Sequence, residues 1–260
     1  MATRSPRSPA SLAAYVLHHY DWSESSLILD LFTREHGRLA VAAKGAKRPH
    51  SQLRSVLLPF QRINVALGRH AGADENAREV QTLRSAEWAG GAPMPGGAAL
   101  FSGFYLNELL MKLLGRHDPH EALFDAYAAT LPQLAGGDDA QAQAALRGFE
   151  LTLLREIGVL PELSVVTLTQ KPVDETAHYA LRPEAGVIER HEPGEATIAG
   201  ASLVRLHAAL DHGSPAALQL ACRAALPELK TVLRGCLHYH LGSAGLRTRQ
   251  VMVDVQKLHF

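Results

Sequence analysis

The N-terminal third of the chain alternates apolar and polar positions over short runs separated by turn residues, a period of 2 that predicts strands. Leu27, Leu29 and Leu31 alternate with Ser26, Ile28, Asp30 and Phe32, so both faces of that strand are expected to be partly buried. In the next strand Leu39, Val41 and Ala43 point one way, while Arg38, Ala40, Ala42 and Lys44 point the other and line one sheet face with positive charge. Ile63, Val65 and Leu67 alternate in the same way with Arg62, Asn64 and Ala66. A first strand near Ala14 to Tyr20 and a last near Arg78 to Arg84 complete five strands within residues 12–88. Few folds are that compact, and a five-stranded Greek-key barrel of the oligonucleotide-binding (OB) type is one. Gly45 to Arg54, with a glycine, a proline and several cations, is expected to be a mobile basic loop, and Gly68 to Asn76 joins the last two strands.

Gly90-Gly-Ala-Pro-Met-Pro-Gly-Gly97 reads as a linker, and beyond it the period changes from 2 to 3.6. Leu100, Phe104, Met111 and Leu114, with Phe101, Tyr105, Leu109 and Leu113, predict a buried bundle helix from about Ala98 to Leu114. Further helices are expected at Glu121 to Leu131 and Gln141 to Ile157. After Pro161 the pattern predicts a small β-rich insert over residues 161–196, with strands at Val165 to Thr169, Ala177 to Leu181 and Val187 to Arg190. Helical periodicity returns from Ser202 to the end, broken at Gly213-Ser-Pro215. The expected fold class is α+β, with the helical domain made of residues 98–160 and 197–260.

Charge changes this picture. The 26 Lys+Arg balance 26 Asp+Glu, but residues 1–84 carry +5, residues 85–222 carry −9 and residues 223–260 carry +4. The bias is sharpest from Arg34 to Arg69, where Arg34, Arg38, Lys44, Lys47, Arg48, Arg54, Arg62 and Arg69 face only Glu35. Such a stretch is a candidate polyanion footprint, the alternative being a well-solvated surface. Only two cysteines, Cys222 and Cys236, occur, which excludes a disulfide framework and a four-cysteine zinc site and fits a reducing, cytoplasmic compartment. Residues 1–11 read as a frayed tail, and no span reaches the length of a membrane helix.

Catalytic chemistry finds little support. Fourteen histidines occur, but neither His18-His19 nor His238-Tyr-His240 has the i, i+4 spacing of a helical zinc site, and His117 and His120 flank a helix-start signal at Asp118-Pro119. Lys44-Gly-Ala-Lys47 lacks the spacing of a phosphate-binding loop, and Gly242-Ser-Ala-Gly245 is not framed as a nucleophile elbow. The chain is therefore expected to bind and not to react, with no cofactor and no small-molecule substrate. Cations on a barrel face and loop can track phosphates, and aromatic rings beside them can stack on bases. Tyr15, Tyr20, Trp22, Phe32 and Phe60 are the rings available, although most are expected in the core of so small a barrel.

Several segments carry a resemblance. Tyr20-Asp-Trp-Ser-Glu-Ser-Ser-Leu-Ile-Leu-Asp-Leu-Phe-Thr33, Gly37-Arg-Leu-Ala-Val-Ala-Ala-Lys-Gly-Ala-Lys-Arg48 and Leu58-Pro-Phe60 resemble the N-terminal signature of the bacterial recombination mediator family RecO. Glu79 to Glu87, Tyr105 to Leu110, Leu146 to Leu154 and Leu246 to Gln250 are similar to later segments of that family in the same order.

The resemblance implies an OB barrel, a helical domain and a small insert that is a zinc ribbon in many members. Here the insert region carries no cysteine and is expected to hold itself together by packing, with no metal. It further implies a non-enzymatic, cytoplasmic and nucleoid-associated protein that binds single- and double-stranded DNA. Such a protein anneals strands coated by single-stranded DNA-binding protein (SSB) and works with RecR to load RecA. The DNA candidates are Arg38, Lys44, Lys47, Arg48, Arg54 and Arg62, with Arg247, Arg249 and Lys257 as a second patch. The SSB C-terminal tail is recognised in the family's helical domain, and Arg147 is the candidate cation for it, the alternative being an exposed ion pair with Glu150 at i+3. The rival to DNA mediation is a protein-interaction adaptor whose acidic helical domain binds a partner.

Overall fold

The chain divides into two units, residues 1–94 with 114–124 and residues 95–113 with 125–260. A computed structural model describes residues 11–68, 80–189, 192–242, 245–248, 250, 251 and 254 of it.

In the first unit, β1 (Ser11–Asp21), β2 (Leu27–Thr33), β3 (Gly37–Ala43), a single turn of helix α1 (Leu53–Val56), β4 (Arg62–Gly68) and β5 (Val80–Trp88) follow in order. The strands close a barrel in the order β1-β2-β3-β5-β4. β4 returns to β1, with Ile63 opposite Ala14, and β3 pairs with β5 in parallel, Ala40 opposite Val80. This is the OB barrel that the alternation predicts. Its interior is filled by the inward set of each strand, including Val16, Leu29, Leu31, Leu39, Val41, Ile63 and Val65.

Both faces of β2 are buried as expected, whereas the outer face of β3 departs from expectation. Asp30, Phe32, Arg38, Ala40 and Ala42 are all buried. Residues 114–124, placed by the periodicity with the helices, cluster with the barrel instead. Phe124 sets its ring 5.3 Å from Tyr15 and 5.4 Å from Phe32, and the His117 amide donates to the Arg38 carbonyl at 3.0 Å. The part of the expected positively charged β3 face that holds Arg38 is therefore covered, while Lys44 at its end stays exposed. The connection after β3 is also better ordered than a mobile loop. Ala46 is buried, the Lys47 amide donates to the Ser25 carbonyl at 3.0 Å, and successive turns run through Arg48, Ser51 and Leu57.

In the second unit, α2 (Ala98–Leu113), α3 (Glu121–Ala135, shared with the first unit) and α4 (Asp139–Glu156) come first. α3 runs one turn beyond its expected end because Pro132 is accommodated inside it, and it stops before Gly137, whose φ is +80°. α4 is buried on every side from Ala144 to Leu151, which makes it the central helix of this unit. Its start is capped by Asp138, which accepts from the Gln141 amide.

The insert holds β6 (His178–Arg182), β7 (Gly186–Ile188) and β8 (Thr197–Ala199) in a sheet of order β7-β6-β8. The strand expected at Val165 to Thr169 is instead a tight turn. Val165 bridges Pro172, and the Gln170 amide donates to the Val166 carbonyl at 2.8 Å with Gln170 at φ +55°. Polar Thr and Gln satisfy this turn where alternation alone suggests pairing. α5 (Gly200–His212), α6 (Pro215–Ala224) and α7 (Leu226–Leu241) complete the unit. A second break, at Ala225 before Pro227, separates α6 from α7.

Candidate nucleic-acid interface and a cationic groove

The basic stretch of the barrel separates into two populations. Arg38 is 7% exposed, and its Nε and Nη2 donate to the two carboxylate oxygens of Asp30 at 3.2 and 2.7 Å while Nη1 donates to the Leu114 carbonyl at 2.8 Å. This two-point ion pair neutralises the guanidinium and fastens residue 114 to the barrel. Arg38 is thus a structural cation, which corrects its expected place on an open DNA face. Arg34 pairs with Glu121 at 2.5 Å.

Lys44, Arg48, Arg54 and Arg62 are exposed, and none makes an ion pair among the described residues. Lys47 lies between the two groups, its Nζ 3.1 Å from Asp21 and 3.2 Å from the Ser23 carbonyl at the β1–β2 turn. An ion pair this exposed contributes little and exchanges readily with another anion. Arg247 is exposed, with its backbone amide donating to Glu108, whereas Arg249 and Lys257 lie outside the described residues.

The barrel also exposes two indoles. Trp22, 56% exposed, sits in the β1–β2 turn that Lys47 reaches through Asp21 and Ser23. Trp88, 65% exposed, lies on β5 opposite Ile63, and its Nε1 donates to Gln61 at 3.2 Å. Tyr20 is also exposed, but Tyr15, Phe32 and Phe60 are core. Trp88 escaped the sequence reading because the last strand extends beyond Arg84. The available stacking surfaces are therefore Tyr20, Trp22 and Trp88.

The second unit carries a groove of about 560 Å³. Its apolar wall includes Phe101, Leu237, Leu241 and Leu246, and its polar lining includes Arg147 of α4 with Lys230, Arg234 and His238 of α7. Among the described residues no carboxylate lines it. Arg147 does pair with Glu150 at 2.7 Å, but both residues are buried, so the alternative of an exposed surface pair is corrected. Beneath the lining Glu150 is fully buried, and its Oε1 also accepts from the Tyr105 hydroxyl at 2.6 Å. Burial raises the Glu150 carboxyl above the ordinary range against the opposing pull of Arg147 and the Tyr105 hydrogen bond. Lys230 and Arg234 were not singled out from sequence, although their i, i+4 spacing puts both on one helix face.

The described turns of the insert are held by hydroxyls, amides and an ion pair. Thr167 of the turn and Val187 of β7 exchange hydrogen bonds, the Thr167 hydroxyl accepting from the Val187 amide at 2.9 Å and the Thr167 amide donating to the Val187 carbonyl at 2.9 Å. Arg182 holds Glu195 by two hydrogen bonds of 2.7 and 2.8 Å. Hydroxyls, amides and an ion pair occupy the turns, and these do not fit a tetrahedral thiolate or imidazole site. Among the described residues no group of three His, Cys, Asp or Glu side chains could hold a metal ion. Cys222 and Cys236 are both buried, and burial pushes their thiols up to about 12 and about 11, which makes them inert packing residues. Among the described residues no helix is long and apolar enough to cross a membrane.

An OB barrel with exposed cations and indoles, joined in one chain to a helical unit with a cationic groove, defines a two-unit barrel-and-helix protein. The family models agree in both halves. Residues 9–91 match the Recombination protein O N-terminal domain, and residues 96–250 match the Recombination protein O C-terminal domain. The chain is 52% identical over 246 residues to the DNA repair protein RecO of Polaromonas naphthalenivorans, covering 94% of this chain and 96% of that one. It is 52% identical over 255 residues to the DNA repair protein RecO of Variovorax paradoxus, with the same coverage, and 49% identical over 264 residues to that of Acidovorax ebreus, covering 97% and 99%. The chain belongs to the RecO family of DNA repair proteins.

Proposed function

We propose that the protein is a non-enzymatic recombination mediator that anneals SSB-coated complementary single strands and, with RecR, helps load RecA onto DNA. The observation that carries this reading is a set of surface cations, most of them exposed and without an ion pair among the described residues, on an OB barrel that also exposes two indoles. Lys44, Lys47, Arg48, Arg54 and Arg62 would contact phosphates of single- or double-stranded DNA, with Arg247 as a weaker outlier. Annealing requires that two repelling strands be neutralised without either being locked, and separate surface cations acting by counterion release meet that need. Tyr20, Trp22 and Trp88 add base stacking, which tolerates any sequence.

The groove between α4 and α7 is the proposed seat of the SSB C-terminal tail. An acidic tail ending in an aromatic residue needs a cation over an apolar floor. Arg147, Lys230 and Arg234 surround the leucines and Phe101 there, and among the described lining residues none is acidic, although Arg147 is held from beneath by Glu150. The protein would work in the cytoplasm at the nucleoid.

The direct experiment is annealing of complementary oligonucleotides precoated with SSB, compared with SSB lacking its tail. Fast annealing that depends on the tail is the expected result. Annealing no faster than the uncatalysed reaction, or equally fast without the tail, would remove the mediator reading or its tail-dependent part respectively.

A further inference from the structure

The groove contains one arrangement that its proposed role does not explain. Arg147 touches Glu150 at a single point, and the buried Nε of Arg147 and Oε2 of Glu150 are both left without a hydrogen bond among the described residues. Glu150 Oε1, by contrast, takes two donors, from Arg147 and Tyr105. A fully buried ion pair this incompletely satisfied is costly. A structural pair would be expected to use both forks, as Arg38 and Asp30 do in the barrel. The unused donor capacity belongs to a residue that lines a groove with no acidic side chain among its described lining residues.

We propose that Glu150 is a positioning residue that makes capture of a carboxylate by Arg147 proton-linked, so that an acidic ligand binds with uptake of one proton at Glu150 Oε2. The proposal rests on the reading of the groove as an acidic-tail site. When a ligand carboxylate meets the Arg147 guanidinium, two anions share one cation in a dry environment, and the buried one is relieved by protonation. The proton has a defined place to go. Oε2 carries no donor, whereas Oε1 can keep both of its existing bonds as the carbonyl oxygen of the neutral acid.

Glu150 is already the group inclined that way, since burial raises its carboxyl before any ligand arrives. The charged and titratable groups acting on it are Arg147 on its own helix, Tyr105 on α2, Arg234 on α7 and Cys222 on α6. Cys222, pushed up to about 12, stays neutral across the useful range. His238 lines the groove as well, and comparison with a variant at Glu150 removes any contribution from it.

The sign follows from linkage. Binding that takes up a proton strengthens as pH falls, by at most about tenfold per pH unit between the free and ligand-bound midpoints of Glu150. The test is fluorescence anisotropy of a labelled peptide of aspartates ending in phenylalanine with a free carboxylate. It is titrated with the full chain from pH 5.5 to 8, where ligand carboxylates stay ionised.

Wild-type affinity is expected to fall as pH rises. Glu150→Gln mimics the protonated state, with its carbonyl in place of Oε1, so it should hold the wild-type low-pH affinity across the whole range. Tyr105→Phe removes a hydrogen bond that stabilises the Glu150 anion, so its midpoint should move to higher pH, and this variant carries the test if Glu150→Gln does not fold. An equal pH slope in wild type and Glu150→Gln, a uniform loss of affinity in Glu150→Gln, or an unmoved midpoint in Tyr105→Phe would overturn the linkage while leaving the groove as a tail site. No binding at any pH would overturn the groove assignment and the linkage with it.

Discussion

Arg38 and Asp30 close a two-point ion pair between β3 and β2, with contacts of 3.2 and 2.7 Å, beneath residues 114–124. Asp30 is 2% exposed, and Arg116 brings a second guanidinium to 3.8 Å from it. Removing one member leaves the other charge buried, so Arg38→Ala is expected to destabilise the protein by about 3–5 kcal/mol. Urea unfolding followed by circular dichroism measures this. The DNA affinity of the protein that remains folded should be unchanged, because Arg38 does not reach solvent. Replacing Arg48, which is exposed, should show the opposite pattern, with stability kept and DNA affinity reduced.

Gly37 precedes this pair at φ +65°, and a Cβ built there would lie 1.9 Å from the Asp118 carbonyl oxygen. Gly37→Ala therefore meets both backbone strain and a backbone clash. It should lower stability by about 1–3 kcal/mol from strain alone, seen as a reduced thermal midpoint. Gly235→Ala, in the middle of α7 with nothing within 4 Å of the new Cβ, is the matched control and should be neutral or slightly stabilising.

The barrel was legible in the sequence because alternation reports a strand's two faces, and Leu39, Val41 and Ala43 do face the core. The same alternation misjudged Arg38. What covers the outer face of β3 is residues 114–124, far along the chain, and no local pattern announces such a cover. The paired partner could have been suspected, since Asp30 is the one charged residue in a strand that is otherwise apolar up to its terminal Thr33. In the helical unit, Arg147 stood out through motif similarity, but its burial did not. The helix around it is buried on all sides, and a residue such as Glu150 reads as solvated until its neighbours are known.

Arg147→Ala should abolish binding of an acidic, phenylalanine-ended peptide to the groove, a loss of at least about tenfold if one charge-assisted hydrogen bond of about 1.5–3 kcal/mol is removed. Single-strand DNA affinity should stay at the wild-type level, because the cations proposed for DNA lie on the barrel. Parallel peptide and DNA titrations of the same preparation check both halves of the expectation.

Glu108 supplies a pH prediction. Its carboxylate accepts from the Arg247 amide at 2.8 Å, and from the amide and hydroxyl of Thr248 at 3.0 and 2.6 Å. Burial opposes ionisation, but the hydrogen bonds from Thr248 and Arg247, helped by Lys112, outweigh it and hold the carboxyl below its usual value. A depressed folded-state carboxyl contributes stability that is fully present above the unfolded-state value and is lost as pH falls through the folded one. Glu108→Gln should therefore be less stable than wild type at neutral pH, with the difference shrinking under acid. Thermal midpoints of the two proteins at pH 7 and at pH 3 measure it.

Trp22 and Trp88 should matter to DNA and not to folding, since both rings are largely in solvent. Each replacement by alanine is expected to weaken single-strand binding by up to about 1–3 kcal/mol. Equilibrium titration with a mixed-sequence oligonucleotide gives the value, and similar losses on pyrimidine and purine strands would identify stacking as the cause.

The salt dependence of single-strand binding tests the barrel's role most directly. With Lys44, Lys47, Arg48, Arg54 and Arg62 on phosphates, log K plotted against log salt should fall with a slope of about −3.5. Replacing Lys44, Lys47 and Arg48 together by alanine should flatten that slope by about 2 units, equally for different sequences because phosphate contacts carry no base information. A slope near zero, or one that the triple replacement leaves unchanged, would contradict phosphate binding by these residues.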